Sequence, residues 1–177
     1  MKTVMMILLT VILLVAGTSY AQDKEALLKV GVGYEAGIMG ALNSDDLAVH
    51  NVVARGWFDK FGFAANYAEL QVDMTMPDTV DADVVQYGGS LMLAPIERPN
   101  GKFFIGAIVS MFELDLDGDS LDILTKGLFV GGEHTLHSLP EMGIYWRIGY
   151  SLSEDDVDEI DLEFQGTDGA VGAVWYF

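Results

Sequence analysis

Four aspartates lie close together in the middle of the chain, at Asp115, Asp117, Asp119 and Asp122. Calcium binds several oxygen ligands on a turn, and Gly118 would let the chain bend tightly around the ion. The spacing differs from an EF-hand loop, because the glycine precedes the third aspartate and no glutamate occupies the twelfth position. We interpret the run first as surface acid that faces water, and second as a site for calcium or magnesium.

Two further groups of residues could bind ions or take part in catalysis. Residues 154–159 form a second acidic run, interpreted as solvated charge or as a patch for divalent ions or a cationic partner. His50 follows Ser44 and Asp45, and a serine, a histidine and an acid together serve hydrolases and acyltransferases. His50 alternates with apolar residues, however, and His134 and His137 fall in a different turn. We therefore predict no catalytic residues.

The segments that position these groups alternate between apolar residues and small or polar ones, in runs of about ten residues separated by turn-rich or acidic stretches. This pattern is typical of the strands of a β-barrel. The predicted strands are residues 28–38, 47–58, 61–72, 83–93, 103–112, 122–132, 143–152 and 165–177. They give an all-β, eight-stranded antiparallel up-and-down barrel with both termini at one end.

The predicted connections differ between the two ends of this barrel. Turns at residues 59–60, 95–102 and 134–142 share the end with the termini, and longer loops at 43–46, 74–82, 115–120 and 153–161 share the other. Clustered acid lies at the loop end, whereas most basic residues lie near the turns. An aromatic girdle is predicted near the turns, from Trp57, Phe58, Phe61, Phe103, Phe104, Tyr145, Trp146, Trp175 and Phe177.

The amino terminus has the pattern of a secretory signal peptide. Lys2 precedes an apolar run from Val4 to Val15, and Ser19 and Ala21 provide the small residues of a cleavage site. We predict a signal peptide at residues 1–21 and a barrel domain at residues 22–177. The chain has no cysteine, which excludes disulfides and thiolate metal sites. Its net charge of −18 disfavours nucleic acid as a partner.

The last strand resembles the carboxy-terminal assembly signal of bacterial outer-membrane barrels. Gly172, Trp175 and Phe177 fit that signal, and Ala170 stands where a polar residue is expected. The resemblance implies recognition by the barrel assembly machinery. It also implies that a closed barrel pairs the last strand with the first, which leaves no exposed aromatic edge.

The direction of the bulky apolar face separates two kinds of barrel. If it points outward, the other face forms a polar interior in which Glu35 pairs with Arg55 or Arg147, because an isolated buried charge is very costly. The predicted interior network is Lys29, Glu35, Asn51, Arg55, Asn66, Gln86 and Arg147. The predicted lipid-facing residues are Val30, Val32, Val85, Leu91, Ile105, Val109, Ile148, Val171 and Trp175. If the apolar face points inward, the chain is a soluble, lipocalin-like periplasmic barrel for a small apolar ligand.

Taken together, the mature chain resembles small outer-membrane barrels of the OmpA/OmpX type. The resemblance implies a bacterial outer-membrane location and partners in membrane lipid and lipopolysaccharide. From the acidic runs we hypothesise that calcium or magnesium bridges these loops to lipid phosphates. We predict a structural or cell-surface interaction role with an unknown surface partner, and rank a lipid A-modifying enzyme or a narrow pore below it.

Overall fold

The computed structural model describes residues 28–39, 48–75, 79–116, 119–157 and 160–177, so the predicted signal peptide and its cleavage site lie outside the described residues. The eight strands are β1 (Leu28–Met39), β2 (Ala48–Phe58), β3 (Phe61–Thr75), β4 (Thr79–Arg98), β5 (Gly101–Leu116), β6 (Asp119–Leu136), β7 (Leu139–Val157) and β8 (Ile160–Tyr176). Each strand pairs antiparallel with its neighbours in the chain, and β8 pairs with β1. The predicted eight-stranded antiparallel barrel is confirmed. The described part of the chain contains no helix long and apolar enough to cross a bilayer.

The strands are tilted, as closure of a sheet requires. Tyr176 of β8 pairs with Gly31, and the row of paired residues continues through Arg55 and ends at Gly166, again on β8. The row therefore returns 176 − 166 = 10 residues away, which is the shear of the barrel. Eight tilted strands enclose an interior just wide enough for side chains to fill.

Three two-residue turns connect strands at the end where β1 begins and β8 ends, at residues 59–60, 99–100 and 137–138. Asp59 has a φ of 52°, a left-handed conformation that aspartate tolerates better than most residues. The predicted turns at 95–102 and 134–142 are wrong in length. β4 continues to Arg98 through a register shift between Leu93 and Ile96, where Pro95 can be accommodated, because a bulge needs no ladder hydrogen bond at every residue.

The opposite end also differs from the prediction, because the strands are longer than the apolar alternation indicates. Residues predicted as loops at 74–82, 115–120 and 153–161 belong largely to paired strands, and β8 begins at Ile160. Only backbone groups form the ladder, so acidic side chains do not end a strand where the neighbouring strand continues. The predicted loop at 43–46 lies outside the described residues.

Alternation along the strands separates an apolar outer surface from a mixed interior. Val32, Leu91, Ile105, Val109, Ile148, Val171 and Trp175 are exposed on the outside, as predicted. Val85 shares that face but is half-buried, and Val30 is 4% exposed although its register places it outside. Trp57, Phe104 and Tyr145 are buried in the core, so the predicted aromatic girdle is wrong for these three residues.

The inward aromatic side chains fit because each one faces a glycine on the neighbouring strand. The pairs are Trp57 with Gly62, Phe104 with Gly131, Phe129 with Gly106, and Tyr145 with Gly172. A side chain in place of the facing glycine would overlap the ring, so glycine provides the space that each ring fills. The glycine-rich inner face is therefore part of the packing.

Replacing Gly62 with alanine tests this packing. The new Cβ would lie 2.6 Å from Cζ3 of Trp57, so we expect the free energy of unfolding to fall by about 1–3 kcal/mol, as in other overpacked cores. Gly89→Ala is the control, because its Cβ would meet nothing nearer than the Ala64 carbonyl oxygen at 3.7 Å. Urea unfolding of the folded barrel provides the measurement. Equal losses in both variants would contradict the account.

Candidate functional site

A buried carboxylate, Glu133, organises the interior near the turn end. Its Oε2 accepts hydrogen bonds from Trp57 Nε1 at 3.1 Å and from the Tyr176 hydroxyl at 2.9 Å. Arg55 Nε lies 3.0 Å from the same oxygen, and both charged side chains are almost fully buried. A carboxylate this far from water needs a cation and hydrogen-bond donors, and these residues provide both.

The Arg55 guanidinium lies between aromatic rings. Its Cζ is 4.3 Å from the ring centroid of Tyr145, 4.7 Å from that of Phe104 and 5.3 Å from that of Trp57. Cation–π contacts strengthen when the cation is desolvated, as it is here. The Arg55–Glu133 contact is ionic rather than a well-aligned hydrogen bond, and Arg55 Nη2 has no hydrogen-bond partner among the described residues. These side chains together form a layer across the barrel, here called the plug, which consists of Arg55, Trp57, Phe104, Glu133, Tyr145 and Tyr176.

A second ion-pair network lies next to the plug. Arg147 Nη2 donates to Glu35 Oε1 at 3.1 Å, and Arg147 Nη1 lies 3.4 Å from Asp168 Oδ1. The Ser151 hydroxyl donates to the other Asp168 oxygen. The Tyr145 hydroxyl donates to Glu35 Oε2 at 2.9 Å while its ring stacks on Arg55, so Tyr145 connects the two networks.

Lys102 covers the plug from the turn end. Its Nζ is 4.2 Å from the ring centroid of Trp57 and 3.6 Å from Glu97 Oε1. Because β4 and β5 meet in a two-residue turn, Glu97 and Lys102 are direct cross-strand partners. Opposite charges at such positions attract each other, which holds the amine over the indole.

The structure brings together only some of the predicted interior residues. Glu35, Asn51 and Arg55 are buried in the barrel, and Arg147 pairs with Glu35. Asn66 and Gln86 are only partly buried, and they share with Asn51 an inward register on β2 to β4. Asn51 Oδ1 and Asn66 Nδ2 have no hydrogen-bond partner among the described residues. Lys29 is exposed at the turn end of β1 and belongs to neither network.

The predicted interior network lacks the partner of Arg55, which is Glu133. Glu133 lay at the border of a predicted turn, and neither it nor Asp168 was assigned to the interior network. The signal was present in the alternation, because Phe129, Gly131 and Glu133 occupy every second position of β6 and all point inward. Extending that alternation by one more step identifies the carboxylate.

The described residues do not bring the predicted calcium ligands together in a cluster. Asp115 and Asp122 are exposed on β5 and β6, Asp122 directly opposite Glu113 in the ladder. Asp117 and the side chain of Asp119 lie outside the described part of the chain. Among the residues that are described, no three histidine, cysteine or acidic side chains could hold a metal ion together.

His50 lies on the outer surface, where its ring stacks on Tyr34 with centroids 5.4 Å apart. Ser44 and Asp45 lie outside the described residues. His137 belongs to the turn at the opposite end, where its Nδ1 lies 3.4 Å from Asn100 Nδ2. The described residues place no nucleophile beside His50.

The assembly-signal residues lie on both sides of the closing strand. Gly172 faces inward beneath Tyr145, whereas Trp175 and Phe177 are exposed on the outer surface. The Phe177 amide donates to the Val30 carbonyl at 2.9 Å, so the last residue takes part in closing the barrel.

Comparisons with known proteins identify the fold. No protein-family model matches the chain, and no curated protein matches it. The solution structure of outer membrane protein H from P. aeruginosa in DHPC micelles is similar with a TM-score of 0.58 and 18% identity, over 85% of this chain and 99% of that one. Neisserial surface protein A matches at a TM-score of 0.47 and 13% identity, over 85% of this chain and 96% of that one. Ail of Yersinia pestis, in complex with the heparin analogue sucrose octasulfate, matches at 0.43 and 12%, over the same shares. The likeness to outer membrane protein H shows that this chain has the fold of a small eight-stranded outer-membrane barrel.

Replacing Glu133 with glutamine tests the plug. The amide keeps the shape but leaves Arg55 buried without a counter-charge, so we expect a loss of about 3–5 kcal/mol in unfolding free energy. Glu113→Gln is the control, since Glu113 accepts a bond from Tyr87 in an exposed pair, and we expect a change within about 1 kcal/mol. Denaturant titration of both variants, each folded into the same kind of lipid vesicle, provides the measurement. Equal unfolding midpoints would refute a central role for Glu133.

Proposed function

We propose that the chain is an integral bacterial outer-membrane protein with a structural role or an interaction role at the cell surface. The observation that carries this proposal is the outer surface, where the exposed large hydrophobic side chains of the described residues are concentrated. Soluble proteins rarely expose one continuous apolar surface of this kind. A closed barrel pairs its backbone groups internally, which is the condition for spanning lipid with strands.

The height of the apolar surface supports a membrane location. On β5 the outward residues run from Phe103 to Met111, with Ile105 and Val109 between them. At about 3.3 Å per residue and a tilt near 40°, this stretch rises roughly 20 Å, close to the ~25 Å apolar band of outer-membrane barrels.

Aromatic residues border this surface at both ends. Phe58, Phe61 and Trp175 are exposed near the turns. Toward the other end, the hydroxyls of Tyr67, Tyr87 and Tyr150 donate to Glu69, Glu113 and Gln165. Tyrosine suits a lipid–water boundary because its ring is apolar and its hydroxyl needs a polar partner. With short turns on the periplasmic side, the acidic end of the barrel faces outward from the cell.

The soluble, lipocalin-like alternative required the bulky apolar face to line the interior. The structure places that face outside, and the interior is occupied by the plug and the Arg147 network. An inner cavity for an apolar ligand therefore has no support in the described residues. The same filled interior also favours a barrel without an open pore.

Export and assembly complete the proposal. The signal peptide at residues 1–21 would direct export, and the carboxy-terminal strand would be recognised by the barrel assembly machinery. At the outer leaflet, acidic side chains such as Asp115 and Asp122 would meet lipopolysaccharide phosphates with calcium or magnesium between them. Equilibrium dialysis of the folded protein against either ion tests this last part, and no uptake would refute it.

Two lysine substitutions on β7 test the bilayer orientation. Ile148 and Ile144 both point outward, and Ile144 lies four residues nearer the turns. Ile148→Lys should destabilise the barrel by about 2–4 kcal/mol, whereas Ile144→Lys should cost about 0–1 kcal/mol, because charge is most costly at the bilayer centre. Unfolding in lipid vesicles measures the difference. Equal costs at the two depths would argue against a transbilayer orientation.

Planar-bilayer recording tests the closed interior. Because the plug fills the barrel at the level of Arg55 and Glu133, we expect the reconstituted wild-type protein to leave the membrane resistance unchanged. A folded sample is confirmed beforehand by its altered migration on an unboiled gel. Regular conductance steps from such a sample would contradict the filled interior.

A further inference from the structure

The outer surface carries a shallow groove across β3 to β7, here called the outer groove. Its volume of about 750 Å³ is typical of ligand pockets. It runs between two neighbouring rows of cross-strand partners, which are Phe61, Leu93, Ile105, Val130 and Ile148 in one row and Leu91, Ala107, Leu128 and Tyr150 in the other. Its lining side chains are apolar apart from the Tyr150 hydroxyl, so the outer groove suits a hydrocarbon chain.

The floor of the outer groove is the row in between, whose side chains do not point outward. Met92 and Phe129 are buried in the core, and Gly106 and Gly149 have no side chain, so the groove meets mainly backbone there. From β3 to β7 it crosses four strand spacings, which is roughly 19 Å at about 4.8 Å each. Half of the apolar core of a bilayer is about 15 Å thick. The outer groove is therefore long enough for one acyl chain of a leaflet.

A cation lies where the outer groove approaches the acidic end of the barrel. Lys126 is one outward position beyond Leu128 on β6, and it is exposed between Val109 and Leu152 in the ladder. Among the described residues it is the one lysine or arginine on the outer surface toward this end, because the others point inward or lie near the turns. Lysine near a membrane surface attracts anionic lipid headgroups.

Carboxylates lie farther along the same face. Asp122 is two outward positions beyond Lys126, and Asp115 is exposed on the neighbouring strand. A molecule in the outer groove would therefore meet hydrocarbon, then a cation, then acid. A lipid with phosphate on its headgroup fits this order, because phosphate pairs with ammonium and a divalent ion joins phosphate to carboxylate. A phosphate monoester fits best, since it carries more negative charge at neutral pH than the diester of a phospholipid.

We propose that the outer groove and Lys126 bind one molecule of lipopolysaccharide through its lipid A part. One acyl chain lies in the outer groove, and the Lys126 ammonium donates to a lipid A phosphate. This inference rests on the proposed function, because it requires the acidic end of the barrel to face outward from the cell. It adds to that function a defined site and a direct contact between lysine and phosphate.

The test is native mass spectrometry of the folded barrel in a non-ionic detergent, with a chelator present so that divalent ions cannot bridge. The probes are lipid A, the same lipid with its phosphates removed, and phosphatidylglycerol. We expect one lipid A per barrel, bound at least about tenfold more tightly than either other lipid. Lys126→Gln should weaken lipid A binding by about tenfold and leave binding of the dephosphorylated lipid unchanged. Lys126→Arg should keep the affinity for lipid A, and Lys60→Gln, at a turn, is the matched control.

The apolar part of the site is tested by Val130→Trp, whose ring would fill the outer groove. Val52→Trp is the matched control, because Val52 is also an exposed outward valine but lies on β2, away from the groove. We expect Val130→Trp to weaken lipid A binding by at least about fivefold, and Val52→Trp to leave it unchanged.

Several results would overturn the proposal. Equal affinity for lipid A and its dephosphorylated form would show that apolar contact acts alone, and an unchanged affinity in Lys126→Gln would show that the cation takes no part. Phosphatidylglycerol bound as tightly as lipid A would remove the choice of lipid, and a dimer in place of the lipid-bound monomer would assign the outer groove to a second copy. Each variant is first checked for altered migration on an unboiled gel. A wild-type chain that lacks this shift would count against the outer-membrane proposal itself.

Discussion

Closure of the sheet, by which β8 pairs with β1, is the constraint on which the rest of this structure depends. A lipid environment offers no hydrogen bonds, so a sheet can cross it only if the first and last strands pair. The pairing of β8 with β1, continued to Phe177 by its bond to Val30, meets that requirement.

Closure with eight strands also fixes the interior. The lumen is too narrow for a wide channel, so its side chains must fill it and satisfy one another. Glycines opposite Trp57, Phe104, Phe129 and Tyr145 provide space for the rings, and the rings in turn surround Arg55. Burial of Arg55 requires a carboxylate, and Glu133 provides it with donors from Trp57 and Tyr176. Packing and electrostatics inside the barrel therefore depend on each other, so that replacing one of these side chains alters the surroundings of the others.

Sequence alone predicted the strand number, the closure and the outward face, because period-two alternation directly reflects one apolar outer surface and one mixed inner surface. It failed at strand ends, since backbone pairing continues where acidic residues replace apolar ones, as in residues 153–157. It failed for Arg55 and Glu133, which are 133 − 55 = 78 residues apart and meet only across the lumen. That contact depends on the shear of the barrel, which cannot be obtained from the alternation within single strands. The girdle prediction uses proximity to the turns, whereas the alternation puts Trp57 on the inner face with Arg55, and Tyr145 on the inner face with Arg147.

The measurement that tests this account most directly is heat-modifiability of the protein in isolated outer-membrane fractions. A closed barrel resists SDS until it is boiled, so we expect the protein in the outer-membrane fraction, with different migration before and after boiling. A protein that is soluble in the periplasm and migrates identically in both conditions would contradict the account. It would mean that the apolar surface is covered by something other than lipid.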